Sequence, residues 1–284
     1  MKVFLKMFFF LQFFSILLFA QEEGARQKAL SDASVAISDD VFAIFNNVSG
    51  LAQLNWREIG AFYSPAPFGI KELSSFSFAY LEPFEFGNAA LGINTYGYEL
   101  LRESKLFFGY SKNLSNKIFL GASIGLSSIS IKRYGSDNAL FLNFGGLAYL
   151  TKEIRIGFST LNLNRATYGK DKSQIPASFN LGVSYAPIYQ AIIAVSASKQ
   201  LDKDIAFNLG AEFFPIDHFC IRSGFKTYPS QYYIGTGIVY SFLQFDYAFS
   251  YHNDLGSSHY LGVIFSFSEE ISRSKRIQKY LQNQ

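Results

Sequence analysis

The sequence predicts an all-β protein, a transmembrane antiparallel β-barrel of about 14 strands with an N-terminal hatch segment in its lumen. Three observations carry this expectation. Segments of about ten residues alternate apolar with small or polar side chains, which suits strands that face lipid on one side and a lumen on the other. Aromatic residues gather at the ends of those segments. Beyond residue 20, no stretch is long and apolar enough to make a spanning helix.

Composition excludes several other classes. The chain has 284 residues with 32 Phe, 18 Tyr and 22 Gly, and only 17% are charged, which is too hydrophobic for a disordered protein. A single cysteine, Cys220, rules out an internal disulfide framework. The formal charge of +3 is small and its carriers are dispersed, so no nucleic-acid partner is indicated.

The N-terminus reads as a targeting segment. Lys2 and Lys6 precede an apolar run from residue 8 to residue 19, and Ala20 is followed by Gln21, Glu22 and Glu23. This is the pattern of a secretory signal peptide spanning residues 1–20. The alternative, a membrane anchor, needs about 20 apolar residues, more than this run supplies. Cleavage would remove Lys2 and Lys6, leaving 23 basic residues against 22 acidic ones.

Period-two alternation is clearest in the middle and at the end of the chain. Ile118, Leu120, Ala122, Ile124 and Leu126 alternate with Phe119, Gly121, Ser123 and Gly125. Phe179, Leu181, Val183 and Tyr185 alternate with Asn180, Gly182, Ser184 and Ala186. A soluble β-sandwich also alternates, but its strands usually run about five to six residues. The segments here run about nine to twelve, enough to cross a bilayer at a tilt. Tyr149, Tyr185 with Tyr189, Tyr232 with Tyr233, Tyr240 with Phe242, and Tyr251 with Tyr260 stand at segment ends and are expected in interfacial girdles.

Strands are expected near residues 56–64, 74–82, 86–96, 104–112, 117–131, 138–151, 153–163, 177–187, 190–199, 204–215, 218–227, 230–241, 244–252 and 257–267. Their even number places both termini on one side, the periplasm in a Gram-negative outer membrane. Short connections at 151–153, 187–189, 215–217 and Leu243 are assigned to that side, and the longer 164–176 and 253–258 to the exterior. The barrel domain is therefore 56–267, after a hatch or plug at 21–55.

In the final strand Gly262 is followed by Phe265 and Phe267, which resembles the signal that barrel-assembly machinery recognises on a closing strand. Residues 268–284 then form a charged tail, expected as a solvated periplasmic segment, with a docking peptide as the alternative.

The segment 24–53 differs in kind. Small residues dominate it, and Val41, Ile44 and Phe45 have helical spacing after Asp39, a cap candidate. Its apolar surface is too small to fold alone, so it needs a surface to pack on, and the nearest is the lumen. Alternation puts Arg155, Glu212, Arg222, Lys226 and Asp246 on the lumen side. Charges away from water require partners, so Asp39 and Asp40 are expected either to pair with Arg155 or Arg222 or to cap the following helix.

Gly24-Ala25-Arg26, Ser38-Asp39-Asp40 and Asn46-Asn47-Val48-Ser49-Gly50-Leu51-Ala52 together resemble the opening hatch of the FadL superfamily of outer-membrane barrels, and more closely its PorV/PorQ branch. Two places depart from the usual text: Leu30-Ser31-Asp32-Ala33 stands where that family is Gly-rich, and Val48-Ser49 where it has Pro-Ala. The resemblance implies a 14-stranded outer-membrane barrel with Asn47, Gly50 and Leu51 in a hatch motif. It also implies one of two roles. PorV-like members assist type IX secretion by binding the translocon or exported surface proteins, whereas FadL-like members pass hydrophobic molecules such as long-chain fatty acids.

No enzymatic role and no cofactor are expected. His218, His252 and His259 have no metal-ligand spacing, and no Gly-rich phosphate loop joins a strand to a helix. His252, Asp254, Ser257, Ser258 and His259 cluster at one hairpin, a group of residue types ordinary in polar loops.

Overall fold

A computed structural model describes residues 23–169, 173–201, 203–268, 273 and 275–277. The expected signal peptide, and most of the tail, lie outside the described residues. Fourteen strands close into one antiparallel barrel: β1 Glu58–Ser64, β2 Ser75–Phe84, β3 Gly87–Gly97, β4 Leu101–Asn113, β5 Ile118–Ile131, β6 Gly135–Tyr149, β7 Ile154–Leu161, β8 Ser178–Ile188, β9 Ala191–Gln200, β10 Ala206–Ile216, β11 Phe219–Thr227, β12 Ser230–Tyr240, β13 Leu243–His252 and β14 Gly256–Ser266. Each strand pairs with the next, and β14 returns to β1 with Ile59 opposite Phe265 and Ala61 opposite Val263. Closure leaves no open sheet edge, the condition for a sheet to stand in lipid.

Strand limits follow from side-chain pattern. In β8 the burial alternates strictly, with Phe179, Leu181, Val183 and Tyr185 exposed and Asn180 and Ser184 buried. The same outward apolar face continues through Ile193 and Val195 on β9, Phe207 and Leu209 on β10, and Phe245 and Tyr251 on β13. An exposed apolar surface that runs round a barrel is unstable in water and stable in hydrocarbon. No described helix is long and apolar enough to span a membrane.

The girdle expectation needs correction at Tyr149, Tyr233 and Tyr260, which turn inward. Tyr149 donates to Gln53 Oε1 at 2.6 Å, Tyr233 to Gln231 Oε1 at 2.6 Å, and the Tyr260 hydroxyl meets Ser250 Oγ at 3.2 Å. Each hydroxyl has a lumen partner, and strand parity, more than an aromatic's preference for the interface, sets its direction.

Connections differ at the two ends. At the end that carries the termini the hairpins are tight, the longest being residues 114–117 and 150–153. At the opposite, loop end, residues 65–74 and 162–177 are long. The second of these contains a small hairpin, Thr167–Tyr168 with Ser173–Gln174, which alternation did not foretell. It is pinned over the barrel by Tyr168, whose hydroxyl donates to Glu103 Oε1 at 2.8 Å and also meets Ser127 Oγ.

The residues 23–54 are buried without exception, and they touch strands all round the wall. Glycines on the inward parity make the room. A Cβ at Gly121 of β5 would stand 2.7 Å from Ser49 N, and one at Gly157 of β7 would stand 2.4 Å from Val35 O. Val41 and Phe42 lie as close over Gly60 of β1, Phe45 over Gly92 of β3, and Leu30 over Gly210 of β10.

Because the atom next to Gly157 is backbone, it cannot rotate away. Gly157→Val is expected to destabilise the barrel by about 1–3 kcal/mol, the usual range for overpacking. Ala122→Val, on the exposed face of β5, is expected to change little. The temperature at which the folded form disappears on an unboiled gel measures both.

Candidate functional site

The inner segment is a chain of short turns. Helix α1 (Ala25–Ala29) is followed by Ser31 and Asp32, both in the left-handed region at φ 55° and 63°. These are positions where the resemblance leads one to expect glycine. The conformation costs a non-glycine residue roughly 1–2 kcal/mol. Local bonds offset that cost: Asp32 N donates to Gln27 O at 3.0 Å, and the Ser31 hydroxyl reaches Leu209 O at 2.8 Å on the wall. Helix α2 (Ala43–Asn46) and a 3-10 turn (Val48–Gln53) complete the segment.

The motif residues hold that last turn in place. Asn47 donates to Val35 O at 2.8 Å and to Gly146 O of β6 at 3.3 Å, while its Oδ1 accepts from the Ser49 hydroxyl at 2.7 Å. It thereby caps a turn that opens with Val48-Ser49. Gly50 backs directly onto Ser38, where a Cβ would fall 1.8 Å from Ser38 O. Leu51 is fully buried and its carbonyl accepts from Asn88 on β3.

Near the termini end, charges of the inner segment and the wall form a network. Arg26 of α1 binds Glu212 of β10 in two parallel bonds of 2.9 Å, the strong bidentate form, and reaches Asp39 at 2.5 Å. Asp39 also accepts from Arg155 of β7 at 3.1 Å. Arg222 of β11 contacts neither Asp39 nor Asp40; it pairs with Glu212 at 2.6 Å and Asp246 at 2.7 Å. Asp40 pairs with neither Arg155 nor Arg222. Its partners are Arg26 at 3.4 Å and the Gln27 amide, and it accepts from Phe42 N at 3.0 Å. Asp40, not Asp39, thus fixes the entry to α2. Sequence reading missed Arg26 because its bonds to Asp39 and Glu212 depend on the fold of the whole segment.

Burial pushes both carboxyls towards the neutral form. At Asp39 the guanidiniums of Arg26, Arg155 and Arg273 outweigh burial and hold the carboxyl below the usual carboxylate range. At Asp40 burial prevails, and the charges of Asp39 and Glu58 add to it, so its carboxyl stays raised.

Glu58, unmarked by any motif, joins four parts of the molecule. Its carboxylate accepts from Val41 N of the inner segment at 3.0 Å, Trp56 Nε1 at 2.7 Å and the Ser266 hydroxyl at 2.7 Å on the closing strand. It also pairs with Arg273 of the tail at 2.8 Å. The described tail residues are therefore not simply solvated, since Arg276 and Ile277 are buried at the same end.

At the loop end a cavity of about 270 Å³ lies above the inner segment. Phe62, Phe68, Tyr233 and Leu255 line its sides, and Lys28 and Lys226 stand at its base. Asp32 lies between the two lysines, 3.1 Å from Lys28 and 3.3 Å from Lys226.

The serine and histidine cluster does not assemble into a nucleophile and base. His252 Nδ1 accepts from the backbone of Asp254 and Leu255, His259 bonds the Tyr247 hydroxyl, and Ser258 accepts from Phe68 N. At the closing strand, Gly262 faces Ala25 inside, while Phe265 and Phe267 are exposed on the outer face.

A closed 14-strand barrel filled by an N-terminal segment and topped by a mouth cavity defines a channel-like class of fold. A deltaS2 mutant of the TodX monoaromatic hydrocarbon channel superposes with a TM-score of 0.72 at 11% identity, over 89% of this chain and 100% of that one. The CymD monoaromatic hydrocarbon channel gives 0.62 at 13% identity, over 87% and 98%. A Pseudomonas aeruginosa FadL homologue gives 0.59 at 12% identity, over 86% and 97%. The chain shares the fold of these channels. No protein-family model matches it, and no curated protein matches it in sequence.

Asp39→Ala strips Arg155 of its carboxylate and Arg26 of one of its partners. Breaking a buried pair in this way is expected to cost about 3–5 kcal/mol. Arg57→Ala removes an exposed pair with Glu82 and is expected to leave the melting temperature unchanged. Thermal unfolding of the two variants in detergent, followed by circular dichroism, makes the comparison.

Proposed function

We propose that the protein is an integral outer-membrane barrel of the PorV/PorQ type, an accessory or scaffold of protein export that works with its lumen closed. The observation that carries this reading is the filled lumen. The segment 23–54 meets the wall on every side, and its carboxylates and guanidiniums are paired there. Such a barrel has surfaces to offer, in its lipid-facing wall, its rims and its tail, and little room for a passage. The outward apolar face supports a place in the outer membrane, with both termini assigned to the periplasm. Gly262, Phe265 and Phe267 would serve the barrel-assembly machinery. The partners are then a secretion translocon or exported surface proteins. No enzymatic step is assigned.

A second reading, a FadL-like channel for hydrophobic small molecules, is favoured by the shared fold and by the mouth cavity with its aromatic sides. It requires the inner segment to move, which separates buried ion pairs and is costly.

The two readings are separated by crosslinking in intact outer membranes, followed by affinity capture, alongside uptake of a labelled fatty acid by a deletion strain. The scaffold reading expects a translocon or surface protein to be captured while uptake stays at the wild-type rate. Impaired uptake with no captured protein would support the channel.

A further inference from the structure

The termini end of the barrel presents a ring of side chains that recognise cations. Glu58 is fully buried at the seam between β1 and β14, and Trp56, the single tryptophan of the chain, lies beside it. Asp217 stands in the β10–β11 hairpin and Tyr189 in the β8–β9 hairpin. Each of these groups is met by the C-terminal segment. Arg273 pairs with Glu58 at 2.8 Å. The Arg276 guanidinium lies 4.3 Å from the centre of the Trp56 ring. Lys275 lies 3.0 Å from Asp217 Oδ2 and 4.5 Å from the centre of the Tyr189 ring. Ile277 is buried in the same apolar cluster as Trp56 and Ile264. Two carboxylates, two aromatic faces and an apolar seat therefore receive two arginines, a lysine and an isoleucine. A cation over an aromatic face and a charge-assisted hydrogen bond are both favourable, more so where water is excluded.

One of these contacts reaches further. Arg273 Nη1 also donates to Asp39 O at 2.7 Å, so a single guanidinium touches the tail, the first strand and the inner segment. Without it, Glu58, Asp39 and Asp40 would have one positive charge fewer to balance them.

We infer that this rim is a binding site for a basic peptide with an aliphatic residue directly after its cations, that its resident ligand is the chain's own C-terminal segment through residues 273 and 275–277, and that the docked segment latches the inner segment into the barrel. The latch is independent of what, if anything, passes through the lumen. Its recognition is electrostatic and aromatic, so a segment of another protein with the same Arg-x-Lys-Arg-Ile order would compete for the rim.

The test uses the full mature chain in detergent micelles with Trp56 as the sole tryptophan reporter. Arg273→Gln combined with Arg276→Gln is compared with wild type, and Ile277→Ala serves as a second variant that alters only the apolar seat. Two quantities are read: Trp56 emission, and the rate of cleavage before Asp39 or Asp40 in the inner segment by an Asp-specific endoprotease, since residues 268–284 hold no Asp. Both variants are expected to red-shift Trp56 and to raise the cleavage rate about tenfold, because protection reports local opening. A synthetic peptide of residues 268–284, added in trans to the double variant, is expected to restore both readings saturably, and a peptide with its Arg and Lys residues changed to Glu to restore neither. Folded barrel on an unboiled gel, with emission and cleavage within twofold of wild type in both variants, overturns the inference. So does equal restoration by the two peptides.

Discussion

Everything else in the molecule depends on how close the inner segment can approach the wall. A barrel of 14 strands encloses more space than its inward side chains fill when those are mainly Gly, Ser and Asn. The same small side chains that leave the space let a backbone into it. At Gly121 and Gly157 the nearest neighbours of an added Cβ would be backbone atoms of residues 48, 49, 35 and 36. The lumen is thus packed like a protein interior, at contact distance, and not like a water-filled pore.

That closeness forces the charge arrangement. The inner segment brings Arg26, Asp39 and Asp40 into contact with a wall that holds Arg155, Glu212 and Arg222, and none of these groups keeps its hydration. Alternating signs around the network satisfy each group, and bidentate geometry at Arg26 fixes the register of α1 against β10. Glu58 ties the same network to the barrel seam, where β1 meets β14. Barrel closure, seating of the segment and docking of the tail therefore share one set of bonds. A protein built this way presents its wall and rims as fixed surfaces.

Much of this was legible in the sequence. The strands fall within about three residues of their expected limits, because period-two alternation between lipid and lumen is imposed along nearly the whole chain. Parity alone puts Arg155 on the lumen side, and its guanidinium lies 3.1 Å from Asp39. What was not legible depends on contacts between distant parts. Tyr149, Tyr233 and Tyr260 are a different case: local strand parity turns them inward, and only their aromatic residue type hides it. Ser31 and Asp32 adopt left-handed turns that disfavour a side chain, and wall carbonyls that accept from Ser31 come from strands far along the chain. Glu58 looks like an ordinary strand-start acid until the closing strand, the inner segment and the tail arrive around it.

An inner segment packed against the wall at contact distance closes the lumen of the resting protein to ions. Single-channel recording of the purified wild-type barrel in a planar lipid bilayer tests it most directly. A silent membrane is expected, with no stepwise current after insertion is verified by protease protection. Steady, long-lived conductance steps from the wild-type protein would contradict it.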